Sequence, residues 1–318
     1  MRAIQLTAPG QFTIVEVPVP TPGPEEVLVK VAACNTCPQW DLSLWRGIDL
    51  FEREGQPTYP QQVGWPGHEM AGVVAAAGSA VQGLRVGDRV ANWNISPQSP
   101  NQCYAEYVAL PAELVLPIPD HLPFEEAASL ELLTCLATSI LRAGEVVGKR
   151  VGVSGLGPAG LLAVQALKAR GAREVVGFDP IAARCTLACQ LGADRALVPG
   201  SADWQELTRP EHQLDLSLDC VGVADSVNGL LQVTRERVII FGVPHGPITF
   251  TRAAWSKGLS LEGYGRRSRL GAEYALHLLA SGQVTTRPLV SAVLPFEEYD
   301  RGIQLLSERA AIKVCFTP

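Results

Sequence analysis

The stretch Val151-Gly152-Val153-Ser154-Gly155-Leu156-Gly157-Pro158-Ala159-Gly160 decides how the chain is read. A short apolar run of strand character passes straight into glycines at 155, 157 and 160, and an Ala/Leu-rich helical pattern opens directly behind them. The first glycine suits a tight turn, the second lets backbone approach a pyrophosphate, and the third lets helix pack on strand. The helix start adds N–H donors and the positive end of its dipole. The glycine spacing alone is a weak signal, because glycines recur in many turns; its place between strand and helix strengthens it. A second strand, Glu174–Phe178, ends at Asp179, 24 residues after Gly155. A carboxylate there can accept both ribose hydroxyls of NAD and would repel a 2′-phosphate. No basic residue follows until Arg184, so NAD is expected over NADP.

Outward from this loop, helices at 159–170, 182–191 and 223–232 alternate with strands at 150–153, 174–178, 214–220 and 237–241. Strands alternating with helices imply a parallel sheet. Ligands of such sheets sit at the C-terminal strand ends, which makes Val221, Gly222, Phe241, Gly242 and Val243 candidate cofactor contacts. Each is equally readable as a plain strand-to-loop junction. Before about Leu130 the texture is β. Ala3–Leu6, Phe12–Val17 and Val27–Val31, separated by Pro and Gly, read as an antiparallel meander, followed by short strands around Gly72–Val74, Asp88–Val90 and Ala105–Val108. After about Ala280 a strand, a helix and the strand Ile312–Phe316 are too few elements for a third core, and no internal repeat or low-complexity tract is readable.

The 318 residues and a 47% hydrophobic content are enough to fill two cores. The formal net charge is −6 and basic residues are scattered, which argues against a nucleic-acid or anionic membrane surface. The one basic cluster, Gly265-Arg266-Arg267-Ser268-Arg269, reads as a solvated loop. No apolar run reaches the length of about 18 residues that a membrane span needs. Met1-Arg2 leads directly into a strand pattern without a signal-peptide profile, so a cytoplasmic setting with reduced thiols is expected for the eight cysteines.

Cys34 and Cys37 stand in Ala33-Cys34-Asn35-Thr36-Cys37-Pro38-Gln39-Trp40-Asp41, a spacing open to a redox couple, half a structural metal site, or one ligand and one bystander. Gly67-His68-Glu69 follows 31 positions later. A lone His–Glu pair is ordinarily polar surface, but Cys37 and Glu131 add to it, and Glu131 sits in the apolar run Ala128–Leu133, where a carboxylate wants a partner. Thiolate, imidazole and carboxylate together suit zinc.

The order Val29-Lys30-Val31-Ala32-Ala33, Cys37, Gly67-His68-Glu69-Met70-Ala71-Gly72-Val73-Val74, Gly87-Asp88-Arg89-Val90, Tyr104-Ala105-Glu106-Tyr107-Val108 and the Gly155 loop resembles the zinc-dependent medium-chain dehydrogenase/reductase superfamily over nearly the whole chain. The resemblance implies an α/β chain with a GroES-like β catalytic domain (1–133 with 281–318), a Rossmann domain with a doubly wound parallel sheet (134–280), and an active site between them. By position it makes Cys37, His68 and Glu69 catalytic zinc ligands, and Glu131 the carboxylate of the polyol and sugar dehydrogenase branch. It implies one zinc and NAD per chain, a small alcohol or carbonyl substrate, and a homodimer or homotetramer.

Three departures stand out. The family's structural zinc needs four closely spaced cysteines, and only Cys103 lies between Val90 and Tyr107, so no structural zinc is expected. Gln39 replaces the usual Ser or Thr of the proton relay, Trp40 reads as an insertion, and Ser43 stands where a His is expected. The relay then falls to Ser43, Thr36 or water. The chain is also short for the family. Of the tryptophans near the site, Trp40 and Trp93 are the expected pocket formers, although core packing suits each as well. The alternatives are a zinc-free quinone or enoyl reductase of the same superfamily, and a non-catalytic NAD-binding protein.

Overall fold

The computed structural model describes residues 1–50, 56–96, 99 and 102–318. The chain divides into two compact units, Met1–Leu132 with Thr285–Pro318, and Leu133–Val284.

In the second unit every strand pairing is parallel. The sheet order is Arg195–Leu197, Glu174–Phe178, Arg150–Ser154, Leu214–Asp219, Thr234–Ile240, Ser260–Gly263. The earliest of these strands, Arg150–Ser154, therefore lies in the middle, and the order reverses beside it, where doubly wound sheets bind their ligands. The strands read as continuous apolar runs because helices cover the sheet: Val151, Val153, Val175, Val176, Leu216, Leu218 and Val238 are all buried. The short strands Arg195–Leu197 and Ser260–Gly263 escape sequence reading; they are the two sheet edges and carry mixed burial.

The first unit is built on a seven-stranded sheet whose order begins Val290–Pro295, Lys313–Thr317, Glu26–Asn35, Glu69–Ala77, Arg89–Asn92, with Tyr107–Pro111 also paired to Glu26–Asn35. The expected N-terminal meander is corrected here. Arg2–Ala8 and Gln11–Glu16 form a separate two-stranded hairpin, while Glu26–Asn35 pairs with Glu69–Ala77, Tyr107–Pro111 and Lys313–Thr317. Its ten residues are mostly buried, as suits a central strand with partners on both sides.

The core of this unit is an aromatic cluster. Tyr299 packs on Phe12, Tyr104 and Phe316 with ring centroids 5.1–5.5 Å apart, and Tyr104 meets Phe316 at 5.6 Å. Such pairs are worth about 0.5–1.5 kcal/mol each beyond area burial. They fasten the C-terminal helix Tyr299–Ser307 and strand Lys313–Thr317 to the N-terminal hairpin and sheet.

Candidate active site

Sheet register gathers the polar residues of the first unit at one place. Asn35 ends its strand opposite Glu69, which begins the next, and Cys315 pairs with Asn35 from the other side. Cys37 follows two residues beyond Asn35, as the N-cap of helix Pro38–Trp45, whose first position is proline and needs no N–H partner. One ligand atom each from Cys37, His68 and Glu69 lies within 4.8 Å of the others.

Each of the three is held from behind. His68 is buried, and its Nδ1 lies 2.7 Å from the Pro66 carbonyl, which can only accept, so Nδ1 carries the proton and Nε2 the lone pair a metal would use. The buried Asn92 braces the same segment, accepting from Met70 N and donating to the His68 carbonyl, each at 2.8 Å. Glu69 is fully buried, and both its oxygens accept from Lys313 Nζ at 2.8 Å. Lys313, fully buried too, also donates to the Thr36 carbonyl at 2.6 Å. Cys37 N donates to Asp41 Oδ2 at 2.8 Å, and Asp41 Oδ1 accepts from the Tyr104 and Tyr299 hydroxyls at 2.8 and 3.1 Å.

Glu131 is buried near the start of helix Leu130–Arg142. The Asn35 side chain donates to the Glu125 carbonyl and Ser129 Oγ, tying that segment to the strand end beside Cys37. The Glu131 charge is felt at Cys37, Glu69 and Cys103. Desolvation pushes the Cys37 thiol well up, and Glu69 adds to this while Lys313 opposes it. Burial also lifts Glu69 to about 8, against the pull of Lys313 and with Glu131 raising it further. A buried thiol and carboxylate, Cys37 and Glu69, both raised by desolvation and neighbouring negative charge, are an arrangement a divalent cation relieves, and the soft and hard donors match zinc.

Thr36 is corrected as a relay candidate. It is fully buried, and its Oγ1 accepts from Val314 N, so it serves the strand junction. Ser43 is half-buried on helix Pro38–Trp45, and its carbonyl accepts from Arg46 and Ile48. Cys34 lies in the apolar core, apart from the donor cluster. Of the tryptophans, Trp93 is buried with its indole N–H on the Glu113 carbonyl, and Trp45 packs on Tyr299. The pair lining a cavity of about 220 Å³ is Trp40 and Trp65, with Asp49 also in its wall.

In the second unit, the three glycines of the loop behave differently. Gly155 has φ +83°, the left-handed region that a side chain rarely adopts. A Cβ on Gly160 would lie 1.8 Å from the Gly155 carbonyl oxygen, so this position requires close helix–strand packing. Gly157 has open space around it and caps helix Pro158–Ala169. Ala159, like Pro158, stands in the first turn of that helix. Asp179 accepts from Leu156 N and Ile181 N, each at 2.8 Å, and Arg184 Nη1 lies 3.7 Å from it. Gly222 lies against Gly242 and Val243, and Val221 against Gly155, at the C-terminal ends of neighbouring strands.

Sequence reading missed Lys313, Asn92, Trp65 and the load carried by Asp41. A lysine inside the apolar strand Lys313–Thr317 was the available signal, since a buried ammonium demands an acidic partner.

Two family models match the chain, an alcohol dehydrogenase GroES-like domain over residues 23–120 and a zinc-binding dehydrogenase over 158–281. L-threonine 3-dehydrogenase of Pyrococcus horikoshii is 31% identical, covering 99% of this chain and 98% of its own, and that of Symbiobacterium thermophilum is 30% identical over 100% and 98%. Among solved structures, alcohol dehydrogenase TADH from Thermus sp. ATN1 superposes with a TM-score of 0.88 at 26% identity, covering 100% of this chain and 99% of its own. No helix among the described residues is long and apolar enough to cross a membrane.

Proposed function

The chain belongs to the zinc-dependent medium-chain alcohol dehydrogenase superfamily, and from that premise we propose that it transfers hydride between a secondary alcohol, polyols included, and NAD. The observation that carries this reading is the convergence of thiol, imidazole and carboxylate donors within 4.8 Å. Cys37, His68, Glu69 and Glu131 are the residues that would hold one zinc, and Glu69, which shares its oxygens with Lys313, would bind it more weakly. Bound there, the cation supplies Lewis-acid polarisation that lowers the pKa of an alcohol.

The chain's own residues do the rest. Pro66 fixes the His68 tautomer, Lys313 opposes the burial that favours a protonated Glu69, and Asp41 holds the backbone of Cys37. The Ser43 hydroxyl takes the alcohol proton toward solvent in place of the missing relay. The loop Gly155–Gly160 receives the pyrophosphate, with Gly157 giving it room and the helix N-terminus supplying donors. Asp179 takes the adenosine ribose, with Val221, Gly222, Phe241, Gly242 and Val243 along the rest of the cofactor. The Asp179 carboxylate, with Arg184 3.7 Å away, would repel a 2′-phosphate and favours NAD over NADP. The working form is a homodimer or homotetramer in the cytoplasm.

The test is one preparation, purified without chelator, on which zinc is quantified and NADH formation is followed over alcohols, polyols and sugars. Stoichiometric zinc and NAD-linked turnover are expected. A zinc-free protein that reduces quinones or enoyl substrates would sink the reading, and a preference for NADP would remove the role of Asp179.

A further inference from the structure

Every carboxylate on the strands of the parallel sheet but one has a cationic partner. Glu174 pairs with Arg150 and Arg195, Asp215 with Arg235, Glu236 with Lys149, and Glu262 with Arg237. Asp219 is fully buried, and among the described residues no cation pairs with it. It closes strand Leu214–Asp219 at the end where such sheets bind their ligands, directly beside Ser154, the residue before Gly155.

Everything that meets this carboxylate donates to it. Oδ2 accepts from Gly222 N at 2.8 Å and Oδ1 from the Ser226 hydroxyl at 2.6 Å, with Val221 N a further donor. The single Ser226 proton is spent there, so Ser154, whose Oγ lies 2.8 Å away, donates to Ser226 in turn. Burial raises the Asp219 pKa above its ordinary value, and these bonds oppose it. The surrounding backbone is stiff as well. The Asp219 carbonyl accepts from Phe241 N and Gly242 N at 2.8 and 3.0 Å, Cys220 N donates to the Ser154 carbonyl at 2.8 Å, and His245 N to the Gly222 carbonyl at 2.7 Å. The carboxylate therefore has a fixed place where three strand ends meet.

A buried anion without a counter-charge is costly, and a cation brought by a ligand offsets that cost. With Asp179 on the adenosine ribose and the Gly155 loop on the pyrophosphate, the strand ends at Asp219 and Ile240 are left for the nicotinamide half. The oxidised nicotinamide ring carries a positive charge, and accepting a hydride removes it. We propose that Asp219 supplies a fixed negative charge that favours oxidised over reduced cofactor, and so sets the balance between alcohol and carbonyl on the enzyme. This rests on the NAD-binding reading above and adds the residue that discriminates the two redox states.

The experiment measures dissociation constants of NAD+, NADH and ADP-ribose by isothermal titration calorimetry on the full chain, as wild type, Asp219→Asn, Asp219→Ser and Ser226→Ala. ADP-ribose lacks the ring and reports on the loops alone. Asp219→Asn should weaken NAD+ about tenfold relative to NADH, the scale of one charge acting through protein. For a two-electron couple that ratio raises the potential of the bound cofactor by about 30 mV. ADP-ribose should bind as it does to wild type. Asp219→Ser, smaller and also neutral, should shift the ratio in the same direction and by a similar factor. Ser226→Ala keeps the charge and loses one bond, so its ratio should stay at the wild-type value. An unchanged ratio in the neutral variants, or equal weakening of all three ligands, overturns the inference and leaves the dinucleotide reading standing. A wild type that binds none of the three removes both together.

Discussion

Replacing Lys313 by methionine tests the electrostatics of the site most directly. Methionine keeps the length and most of the volume of the lysine stem, so the change removes charge and donors without opening a large cavity. Three contacts disappear: two to Glu69 at 2.8 Å and one to the Thr36 carbonyl at 2.6 Å. Removing one partner of a buried pair costs about 3–5 kcal/mol, because the other charge stays buried alone. Glu69 has an escape. Burial already lifts its carboxyl to about 8, and without Lys313 the value rises further, so at pH 6 a proton neutralises it. A carboxyl with a raised folded pKa contributes stability below its unfolded value and loses it as pH rises through the folded one. The penalty of Lys313→Met is therefore small at pH 6 and full at pH 9. For a unit of this size each kcal/mol moves Tm by about 2–4 °C, so metal-free variant protein at pH 9 should melt about 6–20 °C below wild type. Adding Glu69→Gln should recover much of that loss, because the stranded charge is gone. Differential scanning fluorimetry of wild type, Lys313→Met and the double variant at both pH values reads the result. An equal drop at pH 6 and pH 9, or no recovery in the double variant, would refute the reasoning.

Asp41, fully buried, has its carboxyl raised to about 6 by desolvation against its hydrogen bonds from Tyr104, Tyr299 and Cys37. Its contribution to stability is full below about pH 4 and lost as pH rises through 6, so the metal-free wild type should lose Tm between pH 4 and 7 more steeply than Asp41→Asn. That variant can keep its amide oxygen toward Cys37 N only by turning its N–H groups toward the Tyr104 and Tyr299 oxygens, and should cost about 1–3 kcal/mol at pH 4, read by urea unfolding of the same samples. Gly157→Ala should fold as wild type yet bind NADH at least about tenfold more weakly, because its methyl stands in the open space meant for pyrophosphate. Gly160→Ala should instead destabilise the second unit itself, by about 3 kcal/mol or more, since its Cβ meets backbone that cannot yield; circular dichroism and NADH fluorescence separate the two. Cys37→Ser should lower zinc content in a chelator competition while leaving Tm of the metal-free protein within a few degrees, because serine keeps the helix start.

The parallel unit was largely legible because its information is local: strand, glycine loop and helix are adjacent in sequence, and Gly155, Gly160 and Asp179 answer to backbone within or just beyond that loop. Cys37, His68 and Glu69 could be singled out because together their donor types suit zinc and their order along the chain resembles a known family. What stayed hidden depends on pairing across long separations. Nothing near Val27–Val31 announces that its partners are Glu69–Ala77 and Tyr107–Pro111 rather than the hairpin before it. For the same reason Lys313, 244 residues from Glu69, passed as an ordinary strand residue. Thr36 misled because a hydroxyl is equally at home in a relay or a strand junction, while the buried Trp93 takes the core packing that its type also allowed.

The strand Lys313–Thr317 sits between Val290–Pro295 and Glu26–Asn35, so a piece made after the whole of residues 133–284 completes a sheet begun near residue 26. On the ribosome, domains fold as their residues become available. The nucleotide-binding half then has all its strands while the half begun first still waits, with Glu69 lacking its counter-charge and Glu26–Asn35 lacking one neighbour. A chain stopped just before residue 313 would leave the ribosome with one finished unit and one that cannot close. Such a product should be caught by chaperones or proteases at its N-terminal half, far in sequence from the break.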